Sequence, residues 1–346
     1  MSLSLLEELT RQNETDEFIL YSFDRIPSKI MNRFSTQTKN IVVRPRKAWN
    51  YLALPLALLK NRPDIFIGLS QSLPYKTFSK SVLIVHDLAF ELIPHAYPGS
   101  YSRLHRITKT SAKRADKIVA VSNSTKKDLS RLYNIDKQKI SVIYEGVDSM
   151  FHPQPAKEIN RIRRRYDLNK KYFLFIGSLK KIKNVPVLLR AFAAFLEKRA
   201  GDYQLVLVGS NYWPDGEINA IIKAKKLQKK VKSLGFVSDH DLPGLYSGSS
   251  AFIMPSLYEG FGIPILESMA CGTPVITSNT GSMPEIAGKA ALLVNPLDTA
   301  EICKKMWLLE EDSSLRSRLI QKGLLRAKQY SWSKMARQLR QSIGNI

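Results

Sequence analysis

Short apolar runs rich in β-branched residues alternate with longer stretches of helical period along almost the whole chain. Strands are expected at 17–23, 41–44, 65–69, 81–86, 117–121 and 140–143, with helices at 48–60, 100–114 and 124–132 among them. A strand that is apolar on both faces needs cover on both, and helices between successive strands supply it. The pattern therefore predicts α/β folding, with a mostly parallel sheet flanked by helices. Segment 144–166 breaks the rhythm with Gly146, Pro153 and Pro155, then a basic run containing Arg161, Arg163, Arg164 and Arg165. It is expected to form an interdomain linker and a connecting helix. The alternation then resumes, with strands at 172–176, 204–208, 231–234, 251–254, 274–277 and 291–294 and helices at 185–199, 216–226, 239–248, 264–271 and from 299 onward. Two doubly wound, Rossmann-like domains are predicted, with ligands at the carboxyl ends of the strands, between the halves. The expected division is 1–150, 151–330 and a last helix within 331–346 returning toward the first domain.

A length of 346 residues agrees with two domains of ordinary size. No glycine precedes Gly68, so the first domain is expected to lack the opening strand and glycine-rich turn, either by truncation or by reduction. The 53 lysines and arginines against 30 acids leave a net charge of +23. That excess points to an anionic partner, whether nucleic acid, an acidic leaflet or a phosphate-bearing substrate; a lysine-rich surface with no specific partner is the plain alternative. The two cysteines, Cys271 and Cys303, have no CxxC spacing, which argues against a zinc site or disulfide framework and fits a reducing compartment. No apolar window reaches membrane-spanning length, and residues 1–12 carry Glu7 and Glu8 in an amphipathic helical pattern rather than a secretory signal. The expected location is cytoplasmic, extending to peripheral attachment on the inner face of the plasma membrane.

The chemistry concentrates in 255–285. A buried strand ends at Met254, a loop with Glu259, Gly260 and Gly262 follows, and a helix is expected to start at Pro264. The amides of Gly262 and Ile263 would then point out of a helix N-terminus, an arrangement suited to a diphosphate. Glycine at 262 permits close approach of a ligand. Glu259 in the loop and Glu267, expected in the first helical turn, could hold two parts of one ligand through charge-assisted hydrogen bonds. Taken alone, Glu267 reads as an ordinary glutamate favoured by the helix dipole. His86 ends an apolar strand and could be a satisfied core histidine or a site residue; Asp87 could cap the next turn.

This segment resembles the Glu-x7-Glu signature of glycosyltransferase family 4. The likeness extends over nearly the whole chain through Val85-His86-Asp87-Leu88, Ala120-Val121-Ser122-Asn123-Ser124, Tyr144-Glu145-Gly146-Val147-Asp148, Phe175-Ile176-Gly177-Ser178-Leu179, Lys183-Asn184, Val206-Leu207-Val208-Gly209 and Leu234-Gly235-Phe236-Val237. The resemblance implies a GT-B fold, two Rossmann-like domains facing across a cleft, and a retaining, metal-independent hexosyltransferase without a cofactor. Its donor would be a nucleotide sugar, GDP-mannose or a UDP-hexose. Its acceptor would be a glycan or a lipid-linked saccharide in cell-surface polysaccharide or glycolipid synthesis.

By the same resemblance, Glu259 lies near the donor sugar and Glu267 binds the ribose. The amides of Phe261, Gly262 and Ile263 bind sugar hydroxyl and phosphate, and Lys183 neutralises the diphosphate. His86 contacts the donor sugar, while Gly177, Ser178 and Val237 complete the donor site. The family's diphosphate-binding arginine is not matched. Ser178 and Ile182 occupy its two usual places, and Lys180 or Lys181 would substitute without the guanidinium fork.

Arg103, Arg106 and Lys113 fall near one face of the 100–114 helix, where they could meet an acceptor or an anionic membrane surface or be simply solvated. Three rival readings are an inactive or truncated nucleotide-binding protein, a phosphorylase or epimerase on the same fold, and a nucleic-acid binder suggested by charge alone. A pyridoxal lysine environment is not identifiable, and no Gly-x4-Gly-Lys-Ser/Thr loop occurs, so nucleic acid is the less expected partner.

Overall fold

The computed structural model describes residues 2–12, 15–198, 202–210 and 216–344. They form two compact units, Met1–Gly146 with Ser331–Ile346, and Val147–Tyr330.

The first unit holds two parallel sheets. β1 (Phe18–Ser22) pairs with β2 (Thr38–Val42), and β3 (Ile65–Gly68), β4 (Lys80–Val85), β5 (Lys117–Ala120) and β6 (Ile140–Val142) lie side by side in that order. β4 is buried from Ser81 to Val85, as a strand covered on both faces must be. Leu83, Val85, Ile118, Ala120 and Leu129 form the middle of its core. The helix Asn123–Tyr133 starts where the Ser122 hydroxyl accepts from the Thr125 amide at 3.0 Å and stops at left-handed Asn134. The last helix, Trp332–Ile343, packs on the first, Ser2–Arg11. Its backbone also presses on Gly146, where a Cβ would lie 2.1 Å from the Trp332 nitrogen.

The second unit is one six-stranded parallel sheet. β7 (Lys171–Ile176), β8 (Tyr203–Val208), β9 (Val231–Gly235), β10 (Ala251–Met254), β11 (Val275–Ser278) and β12 (Ala291–Val294) are arranged in the order β12-β11-β10-β7-β8-β9. The chain steps outward from β7 to β9, returns to the other side of β7, and steps outward again from β10 to β12. The crevice between the carboxyl ends of β7 and β10 is the switch point at which such sheets bind ligands. Phe173, Phe192, Phe195 and Tyr203 anchor the core beneath it, with Phe173 and Phe195 edge to face at 5.1 Å.

Several expected boundaries shift. The strand expected at 41–44 is Thr38–Val42, because the Asn40 side chain finds partners inside the sheet: its Nδ2 donates to the Leu20 carbonyl at 2.9 Å. The 48–60 helix opens as a π-helical turn, Trp49–Ala53, before Leu54–Asn61. The 239–248 helix begins as one 3₁₀ turn. The expected ends at Met1 and Arg199 lie outside the described residues. In the 144–166 segment the helix Ala156–Arg165 belongs to the second unit, with Ile162 buried against Gly244. Its basic run is partly structural. Arg161 and Arg165 pair with buried Asp241 at 2.7 and 3.3 Å, and these cations, with the Tyr166 hydroxyl, overcome burial and hold that carboxyl below its ordinary range.

Candidate donor site at the switch point

β7 ends into Gly177, whose φ of +155° no bulky residue adopts easily, and β8 ends into Gly209. A Cβ on Gly209 would stand 2.1 Å from the Gly177 carbonyl oxygen, so Gly209 needs glycine for space, whereas Gly177 needs it for its backbone angle. Ser178 follows, half-buried, and the 3₁₀ turn Lys181–Lys183 leads to left-handed Asn184. The buried Asn184 amide donates to the carbonyls of Pro255 at 3.1 Å and Pro296 at 2.6 Å, and the Leu257 amide donates to Ile182 at 2.8 Å. These bonds tie the loop after β7 to the loop after β10.

They also bring together two of the expected site residues. The Lys183 ammonium donates to Glu259 Oε1 at 2.5 Å, with the two side chains only 18% and 17% exposed. The Glu259 loop is pinned from behind by the segment after β11. Ser282 Oγ donates to the carbonyls of Glu259 at 3.0 Å and Phe261 at 2.8 Å, and the Thr280 hydroxyl donates to Leu257 at 2.9 Å. Phe261 is buried, and Gly262 has φ +100° as the residue preceding the helix. Among the described residues, no acceptor lies on the amides of Gly262 or Ile263.

The helix spans Ile263–Ala270, one residue earlier than expected, with Pro264 in second place. Glu267 therefore sits in the second turn rather than the first. It is not a first-turn group stabilised by the helix end; it is held by Tyr246, whose hydroxyl donates to Oε2 at 2.8 Å. Loss of hydration raises the Glu267 carboxyl to about 7, against the pull of the Tyr246 bond, with Asp239 and Asp148 adding to the rise. The residue as a whole is only partly buried. Val237 is buried beyond β9, two strands from β7 and so about 10 Å to the side. The missing arginine is not restored by Ile182, which is buried; Lys180 is exposed beside the turn.

In the first unit, His86 follows β4 with both ring nitrogens engaged. Nδ1 donates to Glu145 Oε1 at 3.0 Å and Nε2 donates to the Leu69 carbonyl at 2.8 Å. Both partners are acceptors, an arrangement that favours the doubly protonated ring. Burial pulls its pKa down, but the bond and charge of Glu145 and the Leu69 bond together raise it. Asp87 caps its own turn through the Ala89 amide at 2.9 Å. Arg103, Arg106 and Lys113 are exposed on the helix Tyr101–Arg114, opposite buried Thr108, Ser111 and Ala112.

Sequence reasoning assigned no role to Tyr246, Asn184, Ser282 or Glu145. Lys183-Asn184 and Tyr144-Glu145-Gly146 were visible as motifs, but their partners lie far off in the chain. The expected absence of any Asp-x-Asp motif, an argument for metal independence, does not hold, because the sequence contains Asp239-His240-Asp241. Asp241 there is taken up by the arginines and Tyr166 described above.

Residues 156–326 match the glycosyl transferases group 1 family, and residues 23–151 match glycosyltransferase family 4. The O-antigen chain mannosyltransferase B of Escherichia coli is 30% identical over 96% of this chain and 91% of its own. The chain belongs to glycosyltransferase family 4. Another relative of this family 4 glycosyltransferase is the O-antigen chain mannosyltransferase RfbU of Salmonella typhimurium, 29% identical over 78% of this chain and 72% of that one. Its GT-B fold is shared with an Anabaena protein, HepE, solved with UDP and glucose, at TM-score 0.81 and 18% identity over 100% of this chain and 96% of that one. Sucrose-phosphate synthase from Thermosynechococcus elongatus aligns at TM-score 0.80 and 20% identity over 99% of this chain and 91% of that one.

Proposed function

We propose that this family 4 glycosyltransferase is a retaining, metal-independent hexosyltransferase that moves mannose from GDP-mannose onto a glycan or lipid-linked acceptor in cell-surface polysaccharide synthesis. The observation that carries the reading is the Lys183–Glu259 pair at the β7/β10 switch point, with two amides nearby in the chain that have no acceptor among the described residues and a carboxyl poised near neutrality. Relatives named as O-antigen mannosyltransferases favour mannose. A UDP-hexose is the alternative donor, since HepE has also been solved with UDP-glucose.

In this reading, Glu267 accepts from the ribose hydroxyls and Glu259 from the sugar. Lys183, aided by Lys180 and the amides of Phe261, Gly262 and Ile263, stabilises the charge that grows on the departing diphosphate. Such preorganised donors contribute most as the bond breaks. The leaving phosphate oxygen takes the acceptor's proton on the face it vacates, so the anomeric configuration is kept. Gly177, Ser178 and Val237 frame the donor, and His86, held positive by Glu145, offers charge to the sugar side. The exposed Arg103, Arg106 and Lys113 would attract an acidic acceptor or leaflet, which suits work at the inner face of a membrane.

Thermal-shift screening with GDP-mannose, UDP-glucose, UDP-N-acetylglucosamine and their diphosphates tests the donor. One nucleotide should stabilise the protein, and Glu267→Ala should remove the shift. No response of the wild type to any of them would end the donor-site reading. Product NMR reads the anomeric configuration, and an inverted product would end the retaining one.

A further inference from the structure

We infer that the first unit carries a binding site for an anionic sugar, one bearing a carboxylate or a phosphate, in a cavity at the carboxyl ends of β1 and β2. This deepens the acceptor part of the proposed function and rests on that part alone. The donor, the sugar moved and the stereochemistry do not enter it.

The cavity comes from the way the chain leaves β1. After Ser22 it runs through 23–27 into a single helical turn, Ser28–Met31, and returns as β2. Arg25, Ile26, Ser28, Met31, Asn32 and Val42 line a space of about 390 Å³. Small-ligand sites begin at about 300 Å³, so the space suits a mono- or disaccharide rather than a longer chain.

Its wall is fixed by bonds made elsewhere. Asn40 Oδ1 accepts from the Ile26 amide at 2.9 Å, while Nδ2 donates to the Leu20 carbonyl at 2.9 Å and to Ser22 Oγ at 2.8 Å. Phe23 packs on Trp49 with ring centroids 4.1 Å apart. Asp24 pairs with Arg46 and, at 4.0 Å, with Arg44. The residues on either side of Arg25 are thus engaged before any ligand arrives, which lowers the ordering cost of binding.

The lining decides the ligand. Arg25 has no carboxylate partner among the described residues, and the one acid in 23–47, Asp24, already serves two arginines. The Ser28 hydroxyl and the Asn32 carboxamide bond to no protein group among the described residues. They share the cavity with Ile26, Met31 and Val42, the last 40% exposed at the end of β2. A guanidinium fork matches a carboxylate or a phosphate. A hydroxyl and a carboxamide exchange hydrogen bonds with sugar hydroxyls. The apolar side chains cover the C–H face of a sugar ring. A bare inorganic anion would leave the apolar wall unused, and an acyl chain would leave three polar groups unanswered.

The test is ligand-observed NMR titration of the full chain, without nucleotide, using methyl glucuronide, mannose-6-phosphate, methyl mannoside and inorganic phosphate. At least one anionic sugar should bind about tenfold or more tightly than both methyl mannoside and phosphate alone. Which of the two binds tells a carboxylate from a phosphate. Arg25→Ala should bring that sugar down to the level of the neutral one. Ser28→Ala with Asn32→Ala should weaken every sugar about fivefold and keep the preference for charge. Lys225→Ala, an exposed position in the second unit, should bind as wild type does. All four positions are exposed, and an unchanged melting temperature in each variant shows that the fold is kept. Absence of sugar binding, phosphate binding as tightly as the anionic sugars, or an Arg25→Ala protein that binds like wild type overturns the inference. Transfer to a neutral glycan without such binding would keep the glycan acceptor and end this site alone. Binding needs no turnover, so loss of the transfer reading would leave the site standing.

Discussion

Lys183 and Glu259, 76 residues apart in the chain, meet as an ion pair at 2.5 Å with most of both side chains out of water. Each neutralises the other at the place where a diphosphate and a sugar would arrive. Donor binding in the proposed reading must redirect the ammonium toward phosphate, so the pair is a resting state that the substrate reorganises. Lys183→Ala should cut turnover by about 10²–10³-fold. It should also cost about 1–3 kcal/mol of stability by stranding a largely buried carboxylate, a figure reduced for its remaining exposure. Single-turnover kinetics and thermal melts check both. Near-normal turnover in this variant would remove Lys183 from the mechanism.

The Glu267 carboxyl has an explicit pH signature. Its pKa stands near 7 in the fold against an ordinary 4.5, so the neutral form is the one the native state favours. Its contribution to stability is full below the ordinary value and is lost as pH rises through about 7, amounting to at most about 3 kcal/mol. The ligand-free Glu267→Gln protein should therefore resist heat better than wild type at about pH 8 and lose that advantage at about pH 5. Donor affinity should move the other way in wild type, tightening as the carboxylate forms. Parallel melting curves for the two proteins across this range would contradict the assignment.

Ser282 and Gly281 hold the Glu259 loop from the segment after β11. A Cβ on Gly281 would fall 2.7 Å from the Glu259 carbonyl oxygen at a backbone φ of +58°. Gly281→Ala is expected to cost about 1–3 kcal/mol and to lower kcat. Ser282→Ala leaves the backbone alone and removes two hydrogen bonds, so its effect on kcat should exceed its effect on melting temperature. Equal losses in both would mark Ser282 as structural only.

Glu145→Gln tests the charge state of His86. With the carboxylate gone, the imidazole pKa should drop, and the alkaline limb of the rate profile should shift to lower pH. In wild type the pair's contribution to stability is fully present below the ordinary histidine value of 6.5 and is lost as pH rises past the elevated one. Histidine NMR titration reads the change directly, and an unmoved His86 resonance would refute it.

The fold was legible because buried parallel strands such as Ser81–Val85 and Phe173–Ile176 must be apolar on both faces, which leaves short uninterrupted hydrophobic runs. β2 was misplaced because Thr38, Lys39 and Asn40 are polar, and only Asn40's partners on β1 explain why they can be strand. Within the site, Glu259, Gly262 and Lys183 stood out by type and spacing. Tyr246 did not, because nothing local distinguishes a tyrosine that will face a glutamate 21 residues later from one that fills a core. Ser282 and Asn184 were silent for the same reason: their side chains bond to backbone carbonyls of distant segments, and carbonyls carry no letter in a sequence.

The close approach at Gly146 carries a consequence for how the chain could be disabled. The residue beside Glu145 has no room for any side chain because the backbone at Trp332 lies against it. Clip that terminal helix away, and the wall against Gly146 goes with it, one residue from the carboxylate that bonds His86. Loss of the tail would then be felt far upstream in the chain, at the segment that carries Glu145.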